Sequence, residues 1–193
     1  MTSSNILKVY KQSTDQDKSD GISWYRDALE FCETIALDYG MSVYVVAGVV
    51  TALSPRNKWE RNKQDALALI KAHANNDSID DVKVCTFSAN KNKAVTIIKT
   101  CSAMDQVVYT LKGPKMIEFF NCIVGVVDVC IDGHAFAIWE GERITLANVP
   151  SIGVKLRRVI KADYIKAAKK VKITPSELQA VTWCAWRRIH EVV

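Results

Sequence analysis

Apolar residues along this chain recur every three to four positions, in stretches separated by short polar breaks carrying Gly, Pro, Asn or Ser. That is the period of a helix, not of a strand. In "ISWYRDALEFCETIALDYG" the stripe is Trp24, Ala28, Phe31 and Ile35, with Gly40 placed to stop the helix. "SVYVVAGVVTALSP" begins on Ser42, a good cap residue, and is apolar nearly all round until Pro55 ends it. An all-round apolar helix is a buried one. Its β-branched residues also permit a strand, and the helix is the reading adopted. "NKWERNKQDALALIKAHANN" predicts a third helix closing in a polar turn, and residues 77–89 show no period. Short helices follow in "KNKAVTIIKTCSAM", in "LKGPKMIEFFNCIVG" up to Gly125, and in "DGHAFAIWEG". A basic helix covers 154–171. The last helix opens at Thr174, with Pro175 at its first position and Glu177 completing a capping box.

The expected fold is all-α, with seven to nine helices. The first twenty residues are polar and read as a loosely held arm (1–20), leaving 21–193 as a single helical domain. At 193 residues the chain is long enough to bury a core without a metal or disulfide staple. Six cysteines are scattered with no CxxC or Cys/His cluster, which argues against zinc and iron–sulfur frameworks. Scattered thiols and the absence of an apolar leader in "MTSSNILKVYKQSTDQDKSDG" point to a soluble, cytoplasmic protein. The longest apolar run, "VYVVAGVVTAL", is too short for a bilayer, so no membrane partner is expected.

The net charge of +5 is mild, but its distribution is not. Between residues 155 and 172 stand Lys155, Arg157, Arg158, Lys161, Lys166, Lys169, Lys170 and Lys172, against Asp163 alone. Such a face would attract a polyanion, or would simply be a solvated helix surface. Of the five tryptophans, Trp183 and Trp186 stand at helical spacing and are assigned to the core.

Two residues stand out chemically. Lys115 falls in the first turn of a helix, where the macrodipole disfavours an ammonium and so favours use as a nucleophile. The helix start opened by Gly113 offers backbone amides to a phosphate, Pro114 itself having none. Read alone, Lys115 is more simply an exposed lysine after a turn. Asp132, before "GHAFAIW", is a good N-cap. A carboxylate held at a fixed point is also what an oxocarbenium-like sugar needs as its glycosidic bond breaks. His134 either contacts a polyanion or packs.

Taken together, a Gly-x-Lys turn opening one helix and an Asp capping the next resemble the helix-hairpin-helix (HhH-GPD) DNA glycosylase superfamily. There a "G-V-G-x-K" hairpin carries a Schiff-base lysine and a "V-D-x-H" segment carries the aspartate; here the pieces read "LKGPKMIEFF" and "CIDGHAFAIW". A second block, "VAGVVTALSPRNKWERNKQDALAL", is similar to the family's early "LLSAQATD…VN…A" helix–loop–helix. The hairpin is shorter than the family's, no four-cysteine cluster follows, and the glutamine that some members insert into DNA is absent. The chain also resembles short phage-encoded members of this fold, some associated with base hypermodification.

The resemblance implies a DNA glycosylase with AP-lyase activity, acting without a cofactor or metal, as a monomer, on a damaged or modified base flipped from double-stranded DNA. Lys115 and Asp132 would be catalytic and would face the same cleft. Ser54 and Trp59 would border the base, Arg56 or Asn57 would fill the gap it leaves, and Arg61, Lys112, Gly113, His134, Lys155, Arg157 and Arg158 would hold DNA. Two alternatives stay open: a phage transferase acting on modified pyrimidines, and a DNA-binding protein that kept the fold without catalysis.

Overall fold

A computed structural model describes residues 3–145 and 147–191. Among them the chain is all-α, with ten α-helices and one 3-10 turn. The helices are α1 (Ser3–Lys11), α2 (Asp15–Asp38), α3 (Val43–Leu53), α4 (Trp59–Ala74), α5 (Ser88–Thr100), α6 (Met104–Leu111), α7 (Pro114–Ile123), α8 (Gly133–Glu140), α9 (Val154–Val171) and α10 (Pro175–Ile189). The chain divides into two compact units, Met1–Asp27 with Gly125–Val193, and Ala28–Val124. The single domain expected from residue 21 is thus replaced by two units, the first formed from both ends of the chain.

In the first unit α1 packs on α8, α9 and α10, and α10 packs on α8 and α9. Its core gathers Ile6, Val129, Ile131, Phe136, Ile160, Tyr164, Leu178 and Trp186. The N-terminal arm expected over 1–20 is a correction. Residues 3–11 are helical with Ile6 fully buried, and α2 already begins at Asp15. Asn5 donates to the carbonyls of Trp139 and Glu140, at 3.0 and 2.9 Å, which ties α1 to the end of α8. Ile6, Val9 and Tyr10 of α1 stand at helical spacing, but the polar composition of residues 1–20 as a whole masked them, and the anchoring of α1 is long-range. Gly21 lets α2 approach α10: a Cβ there would lie 2.4 Å from the backbone of Val181. Trp186 is buried as expected, whereas Trp183 is half-exposed under the guanidinium of Arg187 at 4.5 Å.

In the second unit α3 is central, packed on α4, α5, α6 and α7. It is a helix and not a strand, and every residue from Val45 to Leu53 is buried, as its all-round apolar sequence demands. Ser42 occupies the cap position without a side-chain cap bond. The break at 101–103 leads into α6, a helix the periodicity did not separate from its neighbours. The Gln106 side chain secures its start by accepting from the Ser102 and Ala103 amides at 2.7 and 3.2 Å. With α1 and α6 added, the helix count rises above seven to nine.

Candidate functional site

The candidate residues divide between the units. Ser54, Arg56, Asn57, Trp59, Arg61, Lys112, Gly113 and Lys115 belong to the second; Asp132, His134, Lys155, Arg157 and Arg158 belong to the first.

In the second unit α6 and α7 are joined by two residues, Lys112 and Gly113. Lys112 takes the left-handed conformation at φ 56° as C-cap of α6, and Gly113 is the N-cap of α7 at φ −115°. Pro114 sits at the first helical position and Lys115 follows, exposed, in a first turn with no acidic residue. A Cβ at Gly113 would touch nothing closer than Met116 at 3.8 Å, so the turn does not demand glycine for space. Two further residues shape it. The Lys93 ammonium on α5 donates to the carbonyl of Leu111 at 2.9 Å, satisfying the last turn of α6. The Lys112 ammonium lies 5.5 Å from the ring of exposed Tyr109.

The loop from α3 to α4 is organised around a residue the sequence reading passed over. Asp65, 3% exposed, accepts from Asn57 Nδ2 at 3.0 Å, Arg61 Nε at 2.6 Å and the Cys85 amide at 2.7 Å. The Arg61–Asp65 spacing of one helical turn was a visible signal; the Cys85 contact was not. Asp65 holds the Arg61 guanidinium in its charged form by hydrogen bond and charge. Asn57 and Arg61 are therefore brought together, on a carboxylate of the protein. Arg56 stays exposed at φ 57°, its guanidinium 5.2 Å from the ring of exposed Phe87. Ser54 closes α3 by donating to the Thr51 carbonyl at 2.9 Å. Trp59 opens α4, half-buried, with the Lys63 ammonium 5.8 Å from its ring.

In the first unit Asp132 is the N-cap of α8, its Oδ1 accepting from the Ala135 amide at 2.8 Å. Half-buried His134 lies in the same first turn. The basic helix is α9, with the bounds the sequence predicted. Its cations do not act alike. Lys155, Arg158, Lys166, Lys169 and Lys170 are exposed. Lys161 pairs with Asp128 at 2.5 Å. Arg157 is turned inward, donating to the carbonyls of Ile131 at 2.9 Å and Ile152 at 3.1 Å. The acid of this stretch, Asp163, accepts from the Trp139 indole at 2.8 Å. Tyr164 of α9 is fully buried, with its hydroxyl 3.4 Å from the Ala135 carbonyl. Burial pushes its phenol well above the ordinary range; a bond with Thr182 opposes that and the Asp132 charge adds to it.

Two of the cysteines are poorly placed as nucleophiles. Burial, with the Glu33 charge, pushes the Cys32 thiol up to about 12, and burial, with Asp20 and Asp17, pushes Cys184 up to about 11. Among the described residues no His, Cys, Asp and Glu cluster could hold a metal ion. No helix among them is long and apolar enough to cross a membrane. A depression of about 300 Å³ beside His73, Asp77 and Lys99, and another of about 560 Å³ along residues 80–91, contain none of the candidate residues.

These residues define an all-α protein of two units, with a short inter-helical turn bearing lysines in one and a capping carboxylate beside a basic helix in the other. Over residues 1–190 the chain matches the model of a family described as a family of unknown function (DUF7178), and it belongs to that family. No curated protein and no solved structure matches it.

Proposed function

We propose that the protein is a DNA-acting enzyme, a base-excision glycosylase with AP-lyase activity. The observation that carries this is the two-residue turn between α6 and α7, with Lys115 in the first turn of the second helix. A helix start without an acidic residue presents amides to a phosphate, and a lysine there is suited to attack an anomeric carbon. In the proposed chemistry the Lys115 amine bonds to C1′ of the nucleotide as the base departs with the glycosidic electron pair. Ring opening gives an imine, and β-elimination then cuts the strand on its 3′ side. The Asp132 carboxylate would stabilise positive charge developing on the sugar. The exposed cations of α9, with Arg56 and Lys112, would bind phosphates and make affinity fall with salt. Asn57, Arg61 and Arg157 are occupied within the fold and would act by shaping these elements. Double-stranded DNA bearing a damaged or modified base is the proposed substrate.

The test is borohydride trapping on a duplex with one abasic site, comparing the native chain with Lys115→Ala. A covalent adduct that disappears in the variant is expected. No adduct from the native chain would remove the lyase step.

A second reading, DNA binding without catalysis, draws on the shortness of the turn between α6 and α7, which spans only Lys112 and Gly113. Salt-dependent binding with no adduct and no base release from any modified duplex would favour it.

A further inference from the structure

We infer that Arg157 is a positioning residue for Asp132 and not a phosphate contact, an assignment that rests on the role proposed above for Asp132. By sequence Arg157 is one of three cations at the start of α9, indistinguishable from Lys155 and Arg158. In the fold it parts from them: Lys155 and Arg158 are exposed, and Arg157 is half-buried. Its Nη1 donates to the carbonyl of Ile131, the residue immediately before Asp132, and its Nε donates to the carbonyl of Ile152. Ile131 itself is fully buried in the core of the first unit. The planar guanidinium thus joins two carbonyls from segments on either side of α8, with donors set in one rigid fork.

A second brace comes from the same helix two turns on. The Tyr164 hydroxyl meets the carbonyl of Ala135, whose amide is the group that Asp132 caps. The peptide before Asp132 and the residue capped by it are therefore both held by α9. The Asp132 side chain closes the remaining side with its bond to the Ala135 amide. A carboxylate that must sit opposite developing charge gains from being fixed before substrate arrives, since no reorganisation is then needed in the transition state. The same helix carries Lys155 and Arg158 outward, so phosphate binding and carboxylate placement share one rigid element.

The experiment compares Arg157→Gln, Arg157→Lys and Lys155→Gln in the full chain. Affinity is measured on a duplex carrying one tetrahydrofuran abasic analogue, at several salt concentrations. Base release is measured at saturating enzyme on a duplex carrying a modified base that the native chain excises, and exchange of the Ala135 amide by NMR. Arg157→Gln is expected to slow base release at saturation about tenfold or more and to speed Ala135 exchange, while affinity stays within about twofold and the salt slope is unchanged. Arg157→Lys, which can reach one carbonyl but not both, should recover part of the rate. Lys155→Gln should instead weaken affinity and reduce the salt slope by about one. The inference is overturned if Arg157→Gln loses affinity and salt slope as Lys155→Gln does, or if Ala135 exchange is unchanged. Should the native chain release no base from any modified duplex, the glycosylase proposal fails on its own, and Ala135 exchange in Arg157→Gln still decides whether Arg157 holds the cap.

Discussion

Asp132 has one duty in the fold, capping α8, and a second in the proposed function, and a pair of substitutions divides them. Its Oδ1 accepts from the Ala135 amide at 2.8 Å and so caps α8. Losing an N-cap to alanine costs typically about 1 kcal/mol, within a range of about 0.5–2. Asparagine caps as well as aspartate, so Asp132→Asn forfeits only the charge at the positive end of the helix, about 0.3–1 kcal/mol at an accessible site. With a urea dependence of roughly 1–3 kcal/mol per molar, the alanine variant should lower the unfolding midpoint by about 0.3–1 M. The asparagine variant should lower it by less. Chemistry should respond in the opposite proportion. A carboxylate that stabilises a sugar cation cannot be replaced by a neutral amide, and a loss of roughly 10²–10³ in rate is expected for Asp132→Asn. Urea unfolding followed by tryptophan fluorescence, with base release from a duplex carrying a modified base that the native chain excises, measures both. An asparagine variant that unfolds like native protein and releases the base at the native rate would refute the catalytic assignment and leave Asp132 as a cap alone. One that loses as much stability as alanine would refute the capping arithmetic.

Gly21→Ala sets a gain of about 1 kcal/mol in helix propensity against a Cβ lying 2.4 Å from the Val181 backbone. Backbone cannot yield as a flexible side chain can, so a net loss of about 1–3 kcal/mol is expected in chemical denaturation, and a variant as stable as native would contradict the close approach of α2 to α10. The Asp17 carboxylate accepts from Arg188 Nε at 2.9 Å and from the Thr14 amide at 2.8 Å. Burial pushes its carboxyl upward, but these bonds outweigh burial and bring it below its ordinary 3.8. A depressed carboxyl contributes fully above the unfolded value and loses that contribution as pH falls through the folded one. Stability should therefore decline below about pH 4, and Asp17→Asn should flatten that limb in pH-dependent unfolding. Asp65→Ala leaves the Cys85 amide and the Asn57 side chain without their acceptor, at a cost of about 1–3 kcal/mol. Amide exchange at Cys85 should rise with it; unchanged exchange would mean the two loops are held by other means, such as the Thr86 hydroxyl on the Pro55 carbonyl.

By itself the sequence determined the helical class and the ends of those helices whose signals are local. Thr174, Pro175 and Glu177 announced α10 through groups three residues apart, and the Thr174 hydroxyl and Glu177 carboxylate do exchange bonds with each other's amides. The apolar circumference of "VYVVAGVVTAL" likewise marked α3 as a central buried helix. The position of Asp132 as a cap was legible for the same reason. Only the tertiary structure decided what depends on partners far along the chain. α1 is held by the carbonyls of Trp139 and Glu140 at the end of α8, 134 and 135 positions away. Asp65 was not singled out by sequence, because the Cys85 amide that it accepts from is brought to it across 20 residues. Arg157 is the sharpest case, because three cations at the start of one helix are equivalent in sequence. Their fates are set by the rotation of α9 against a carbonyl 26 residues upstream. Charge is written in the chain, but the direction a charge faces is a property of the packed helix.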